Sequence, residues 1–195
     1  QLEAFPFVSS YIPSLETFTS RATSGSYYGS DGLIKYASLN SPRYNYNPAN
    51  LKLAPKLLLE VASTNLVLYS EQLDNVSWST SAVSFTANAA VAPDGTTTAD
   101  KMAETVTGSA IQHLIVQSIG TVSIGAVYTS SIYAKAGERT CISVTANNEA
   151  YIVFDLVAGT IFQGASQATM TAVGNGWYRC CATFTKTNTS GNFYY

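Results

Sequence analysis

From Asn65 onward the sequence falls into runs of roughly five to eight residues in which apolar and polar side chains alternate, with Gly, Asn and Asp between the runs. Successive side chains of a strand point to opposite faces, so this alternation asks for sheets with one face covered. In Tyr151-Ile152-Val153-Phe154-Asp155-Leu156 the covered set is Ile152, Phe154 and Leu156; in Cys141-Ile142-Ser143-Val144-Thr145 it is Ile142 and Val144. Further strand candidates are Val83 to Ala87, Ile111 to Val116, Ala126 to Ala134, Thr160 to Phe162, Trp177 to Thr185 and a last run beginning near Asn192. These suffice for two sheets, and the expected fold is an all-β antiparallel sandwich. A hairpin turn is expected at Ala158-Gly159, because Gly accepts the positive φ of such turns. Ser70 to Trp78 is the one stretch where a helical turn is expected.

Residues 1 to 64 read differently. Tyr, Ser, Asn and Pro dominate, and turn signals recur at Gly25, Asp31-Gly32, Ser41-Pro42 and Asn47-Pro48. Pieces such as Leu33-Ile34-Lys35-Tyr36 and Leu57-Leu58-Leu59-Glu60 are too short to enclose a core. An extended, strand-poor linker or oligomerisation segment is expected over 1–64, lying against neighbours, with the sandwich over 65–195. Tyr27, Tyr28, Tyr36, Tyr44 and Tyr46 cannot be buried by such a segment alone. Tyr combines a large contact area with a polar tip, so these five are candidate subunit-interface residues.

Composition removes several function classes. Hydrophobic residues make up 46% and charged residues 11%, which is enough apolar surface for a packed core. A formal charge of −2 offers no basic footprint for nucleic acid or an anionic membrane. No apolar run approaches the roughly 20 residues that span a bilayer, and the N-terminus lacks the series of a signal peptide. Cys141, Cys180 and Cys181 are odd in number and unlike zinc or disulfide frameworks. They are expected to be reduced, in or near the core, with a bridge from Cys141 to one of the adjacent pair left open.

Candidate chemistry is sparse. The only histidine, His113, sits in a strand-like run with no Gly-x-Ser-x-Gly elbow, so no catalytic residue is assigned. Asp94, Asp100, Glu104, Glu138, Glu149 and Asp155 are the carboxylates from which a glycosidase pair would have to come, and sequence spacing does not show one. Asp94-Gly95 reads as a turn, Asp155 as a solvent-facing strand residue and Glu138-Arg139 as a loop pair. No cofactor is expected; a Ca²⁺ site, if one existed, would use loop oxygens such as Asp94 and Asp100. Sugar rings stack on exposed aromatics, which makes Trp78, Tyr128, Tyr151 and Trp177 candidate carbohydrate-binding residues. For Trp177, in Gly176-Trp177-Tyr178-Arg179, an anchor of the sheet is the leading reading.

A series of motifs is more specific than composition. Asn65-Leu66-Val67-Leu68-Tyr69-Ser70-Glu71, Trp78, Ala92-Pro93-Asp94-Gly95-Thr96-Thr97-Thr98-Ala99-Asp100-Lys101, Tyr133-Ala134-Lys135-Ala136-Gly137, Phe154-Asp155-Leu156 and Gly176-Trp177-Tyr178-Arg179 occur in this order. In that order they resemble the carbohydrate-binding-module-like jelly-roll domains of tailed-bacteriophage tail fibres and head spikes. Ser20-Arg21-Ala22-Thr23, Tyr27 to Gly32, Pro42-Arg43-Tyr44 and Leu57 to Glu60 resemble the segment preceding those domains. The resemblance implies a jelly-roll sandwich in a structural virion protein on the particle exterior, homo-oligomeric and trimeric as fibres are. Its partners would be other virion proteins and host-surface polysaccharide. The alternatives are a carbohydrate-binding module for host attachment and a capsid decoration protein. Gln1-Leu2-Glu3 and Ser10-Tyr11-Ile12-Pro13 resemble the end of a preceding jelly roll, and Phe193-Tyr194-Tyr195 falls inside an expected strand. The expectation is a fragment of a longer tandem protein, incomplete at its C-terminus, with closure of a sandwich by Gln1 to Pro13 as the alternative.

Overall fold

The computed structural model describes residues 24–60, 63–106, 108, 111–146 and 149–195. The expected role of Gln1 to Pro13 and the motif Ser20 to Thr23 lie outside the described residues. The chain is all-β. Two short hairpins come first, β1 (Gly25–Tyr28) with β2 (Ile34–Ala37) and β3 (Tyr44–Asn45) with β4 (Lys56–Leu57). Then follow β5 (Ser79–Ser81), β6 (Val83–Ala90), β7 (Ala99–Glu104), β8 (Leu114–Thr121), β9 (Val127–Lys135), β10 (Cys141–Ala146), β11 (Ala150–Asp155), β12 (Thr160–Gln163), β13 (Ala168–Gly174), β14 (Trp177–Thr185) and β15 (Ser190–Tyr194). A 3₁₀ turn at Ala165–Gln167 is the only helix among the described residues.

The sheets are antiparallel and form a jelly-roll-like sandwich. One has six strands in the order β12-β11-β10-β15-β8-β5, the other three in the order β13-β14-β9, and β6-β7 is a separate hairpin. The chain changes sheet between β8 and β9, β9 and β10, β12 and β13, and β14 and β15, so the layers are linked by crossings rather than by one meander.

Alternation accounts for the core. On β14, Cys180, Ala182 and Phe184 are fully buried, while Arg179, Thr183 and Thr185 point to the open side. Ile152, Phe154 and Leu156 of β11 and its extension meet them from the opposite sheet, with Val144 and Ala146 of β10 and Phe193 of β15. Phe184 and Phe193 sit 6.1 Å apart between centroids at a tilted angle. Trp78 meets Tyr195 edge-on at 6.0 Å, a favoured aromatic arrangement. Each fully buried side chain of this size contributes about 1.5–3 kcal/mol relative to exposure.

One contact is backbone against backbone. The register of β15 on β8 shifts between Ser190 and Asn192, and Gly191 lies in that irregularity. A Cβ there would stand 2.3 Å from the Gly120 carbonyl oxygen, which no rotamer change relieves. Gly191→Ala is therefore expected to cost about 1–3 kcal/mol, read as a lower urea midpoint at unchanged slope. A midpoint equal to wild type would show that the bulge yields freely.

The N-terminal hairpins lie on the sandwich of their own chain. Ile34 N–H donates to the Pro93 carbonyl at 3.1 Å, and the Tyr28 and Tyr133 hydroxyls meet at 3.4 Å. Between hairpins and sandwich, residues 69 to 78 form three successive turns, closed by Gln72 N–H to Tyr69, Asn75 N–H to Gln72 and Trp78 N–H to Asn75. This is turn structure where a helical turn was expected; the Asn75 side chain, accepting from Ser77 N–H, competes with helix continuation. The buried Gln117 amide fastens this segment, accepting from Leu68 N–H at 2.6 Å and donating to the Leu68 carbonyl at 3.0 Å.

Other boundaries differ too. The run expected at Ile111 to Val116 becomes β8, which starts at Leu114 and continues to Thr121. β5, β7 and β13 were not foreseen: Ser-Thr-Ser is short and polar, and Ala-Asp-Lys-Met-Ala-Glu shows little apolar alternation. β13 does alternate, with Ala168 and Met170 packed on the core between Thr169 and Thr171, and was overlooked. The three cysteines are free; Cys180 is buried and Cys181 half-buried, but Cys141 is exposed at the start of β10, which corrects its expected place near the core.

Candidate functional site

Alternation on two short strands builds a pocket. Tyr27 and Tyr28 are neighbours on β1 and point to opposite sides: Tyr28 reaches Tyr133 on the sandwich, and Tyr27 faces away. On the next hairpin, Asn45 turns toward β1 and accepts from Tyr28 N–H at 2.7 Å, so its neighbours Tyr44 and Tyr46 point the other way. Tyr46 N–H donates to the Tyr28 carbonyl at 3.0 Å and fixes the two hairpins side by side. Arg43 adds bonds to the Ser26 carbonyl and the Glu60 carboxylate.

The result is an open cavity of about 330 Å³ lined by Tyr27, Tyr44 and Tyr46 with Pro42, the Asp31 and Lys35 side chains, and Gly29 and Ser30. Asp31 and Lys35 pair at 2.7 Å, and Asp31 also accepts from Leu33 N–H. The Lys35 hydrogen bond, then that of Leu33, holds the Asp31 carboxyl below its ordinary range. Gly29 lies against this pair: a Cβ on it would stand 2.8 Å from Asp31 Oδ1 and 3.1 Å from Lys35 carbons.

The expected carbohydrate platform does not form as one surface. Trp78 and Trp177 are buried, and both indole N–H groups donate inside the protein, to the Tyr69 and Val91 carbonyls, so neither presents a face to a ligand. As carbohydrate-binding candidates both are corrected to core residues, for Trp177 the sheet anchor already expected of it; a large ring with one donor is well placed where a backbone acceptor lies at the edge of a core. Tyr128 is half-buried with its ring 6.3 Å from Phe193, which removes it as a platform. Tyr151 is 54% exposed. The register sets Tyr151, Thr145, Tyr194 and Val116 in one cross-strand row on the outer face of the six-stranded sheet. Tyr194 in this row was not singled out from sequence, because only strand pairing brings it near Tyr151.

Of the five expected interface tyrosines, three line the cavity. Tyr28 is taken up within its own chain, and burial, then the Tyr133 hydrogen bond, raises its hydroxyl above the ordinary value. Tyr36 is exposed and donates to Glu71 at 3.0 Å; burial of its hydroxyl and that bond push its value up to about 12.

The loop carboxylates serve structure. Asp94 accepts from Thr96 N–H and its hydroxyl, and Asp100 accepts from Leu73 N–H and Asn88 N–H. No group of three or more metal-ligating side chains occurs among the described residues, so Asp94 and Asp100 are not gathered into a Ca²⁺ site. Asp155 caps the β11–β12 turn by accepting from Val157 and Ala158 N–H. Glu104 takes Arg139 at two points, with His113 Nδ1 at 3.8 Å, and His113 Nε2 lies 2.7 Å from the Val106 carbonyl.

Glu149 stands apart. It is buried with Lys186, 2.6 Å between Oε2 and Nζ, and neither atom has another partner among the described residues. Its other oxygen accepts from Thr187 N–H and from the Asn188 backbone and side chain. Lys186 continues the inward alternation of Cys180, Ala182 and Phe184, which places an ammonium 5.7 Å from the Phe193 ring centroid.

No described helix is long and apolar enough to cross a membrane. No protein-family model matches the chain, and no curated protein matches it.

Proposed function

We propose that this chain is a structural, non-catalytic segment of the exterior of a tailed-phage particle, part of a fibre or spike, which assembles with further copies through its N-terminal half. The motif order supports the reading, and an all-β sandwich suits it. The observation that carries it is the run of exposed leucines from the β3–β4 loop, through β4, into the stretch that leads to the sandwich. Leu51, Leu53, Leu57 and Leu59 are all exposed, Leu59 at 77%, with Leu66 and Leu68 close behind in sequence. So many exposed large apolar side chains within one short stretch of chain suit a surface that another protein covers. In a homo-oligomeric fibre, trimeric by the resemblance, the covering surface is a second copy.

Light scattering coupled to size exclusion tests this. The expected mass is that of a trimer, and Leu53→Asp with Leu59→Asp should shift it to the monomer with the sandwich still folded. A wild-type monomer at tens of micromolar overturns the reading.

A second reading, a carbohydrate-binding module for host attachment, is favoured by one observation, the row Tyr151-Thr145-Tyr194 on an open sheet face. Strands lie about 4.8 Å apart, so the two rings are spaced about 10 Å, across which an extended saccharide chain can lie.

A further inference from the structure

We propose that the cavity between the two N-terminal hairpins is a saccharide site, taking one pyranose at the end of a glycan. The inference rests on the reading of the chain as an exterior segment that meets host glycans, and gives that contact a place outside the sandwich.

Three observations select the ligand class. The walls are Tyr27, Tyr44 and Tyr46, with Tyr44 54% exposed, and such rings suit the apolar C–H face of a sugar. At one side of the cavity Asp31 and Lys35 stand 2.7 Å apart. A carboxylate beside an ammonium is an acceptor beside a donor, and two neighbouring hydroxyls of a pyranose satisfy both: one donates to Asp31, the other accepts from Lys35. The volume, about 330 Å³, is at the lower end of small-molecule sites and matches a single sugar ring, with the open side free for the rest of a glycan.

Charge decides against the competitors. A quaternary ammonium drawn to the tyrosines would meet the Lys35 ammonium, and a phosphate or carboxylate would meet Asp31. A neutral polyol meets neither penalty. The pair is formed without ligand, and Gly29, whose missing Cβ leaves 2.8 Å to Asp31 Oδ1, lets the backbone lie close beneath it.

The test is saturation-transfer NMR on the whole chain with D-glucose, D-galactose, D-mannose, N-acetyl-D-glucosamine and L-rhamnose in turn. Transfer to at least one sugar is expected, with affinity about tenfold weaker in Tyr44→Ala and in Lys35→Met and unchanged in Phe162→Ala, an exposed ring on the far edge strand of the sandwich. Tyr44 and Lys35 are surface positions, and circular dichroism of each variant verifies that the fold is kept. Transfer that survives both pocket variants and falls with Tyr151→Ala overturns the pocket while leaving glycan contact on the sheet face. Transfer to no sugar overturns the pocket alone; the row on the sheet face, which spans a longer saccharide, and assembly, read by the mass measurement above, are judged separately. A Tyr44→Ala chain that changes its oligomeric mass instead of its sugar binding also overturns the proposal, because the cavity is then a subunit contact.

Discussion

Glu149→Ala is expected to lower the unfolding free energy by about 3–5 kcal/mol, because it leaves the Lys186 ammonium buried with no counter-charge. The size of the loss reflects the charge left behind and not the worth of the pair. Replacing both partners, Glu149→Gln with Lys186→Met, should recover most of it, since no unpaired charge is left buried and the Gln oxygen can still accept from Thr187 and Asn188. Urea unfolding of the single and the double variant reads this directly. A single variant within about 1 kcal/mol of wild type would show that Lys186 reaches water when Glu149 is removed.

The same pair fixes an acid limb. Burial by itself raises the Glu149 carboxyl, but the Lys186 hydrogen bond and the Thr187 and Asn188 N–H groups outweigh it, and the folded value lies below the ordinary 4.5. A carboxyl with a lower value folded than unfolded contributes stability in full above the unfolded value and loses it as pH falls through the folded one. Wild type should therefore lose stability below about pH 4.5, and the double variant should lose less over the same window.

Phe184→Ala is the second large effect, about 3–5 kcal/mol. Phe184 has no exposed surface and packs against Phe193 across the middle of the sandwich, where both sheets are fixed by their ladders and collapse poorly around a void. Phe162 is the control, a ring of equal size on the edge strand β12 and 79% exposed. Phe162→Ala should stay within about 0.5 kcal/mol of wild type. Equal losses at the two positions would contradict the assignment of the core to this interface.

Much of the sandwich is legible in the sequence for one reason: where β-branched and aromatic residues alternate with polar ones, the inward set is already chosen. Ile152, Phe154 and Leu156 are such a set, as are Ile142 and Val144. Lys186 shows the limit. By hydropathy it ends the pattern of β14, yet it occupies the next inward position, because the partner that makes its burial tolerable is 37 residues earlier in a different turn. Trp78 and Trp177 show the same limit from the other side: aromatic type suggests a platform, and only the carbonyls of Tyr69 and Val91 explain why both rings turn inward. The cavity is half legible. Its tyrosines stand out as a group that a thin segment cannot bury, but the Asp31–Lys35 pair and the opposite facing of Tyr27 and Tyr28 depend on hairpin pairing that no local pattern announces.

The position of β15 has a consequence for the order in which the protein forms. This strand pairs with β10 on one side and β8 on the other, and Tyr195 exchanges two backbone hydrogen bonds with Ile115. Its two neighbours leave the ribosome well before it does, and each emerges with an unpaired edge. Until residues 190 to 195 have been synthesised, the larger sheet is two fragments, β12-β11-β10 and β8-β5, with no strand to join them. Closure of the sandwich is thus a late, long-range event, and the nascent chain carries two open strand edges, the feature through which β-rich chains pair with the wrong partner.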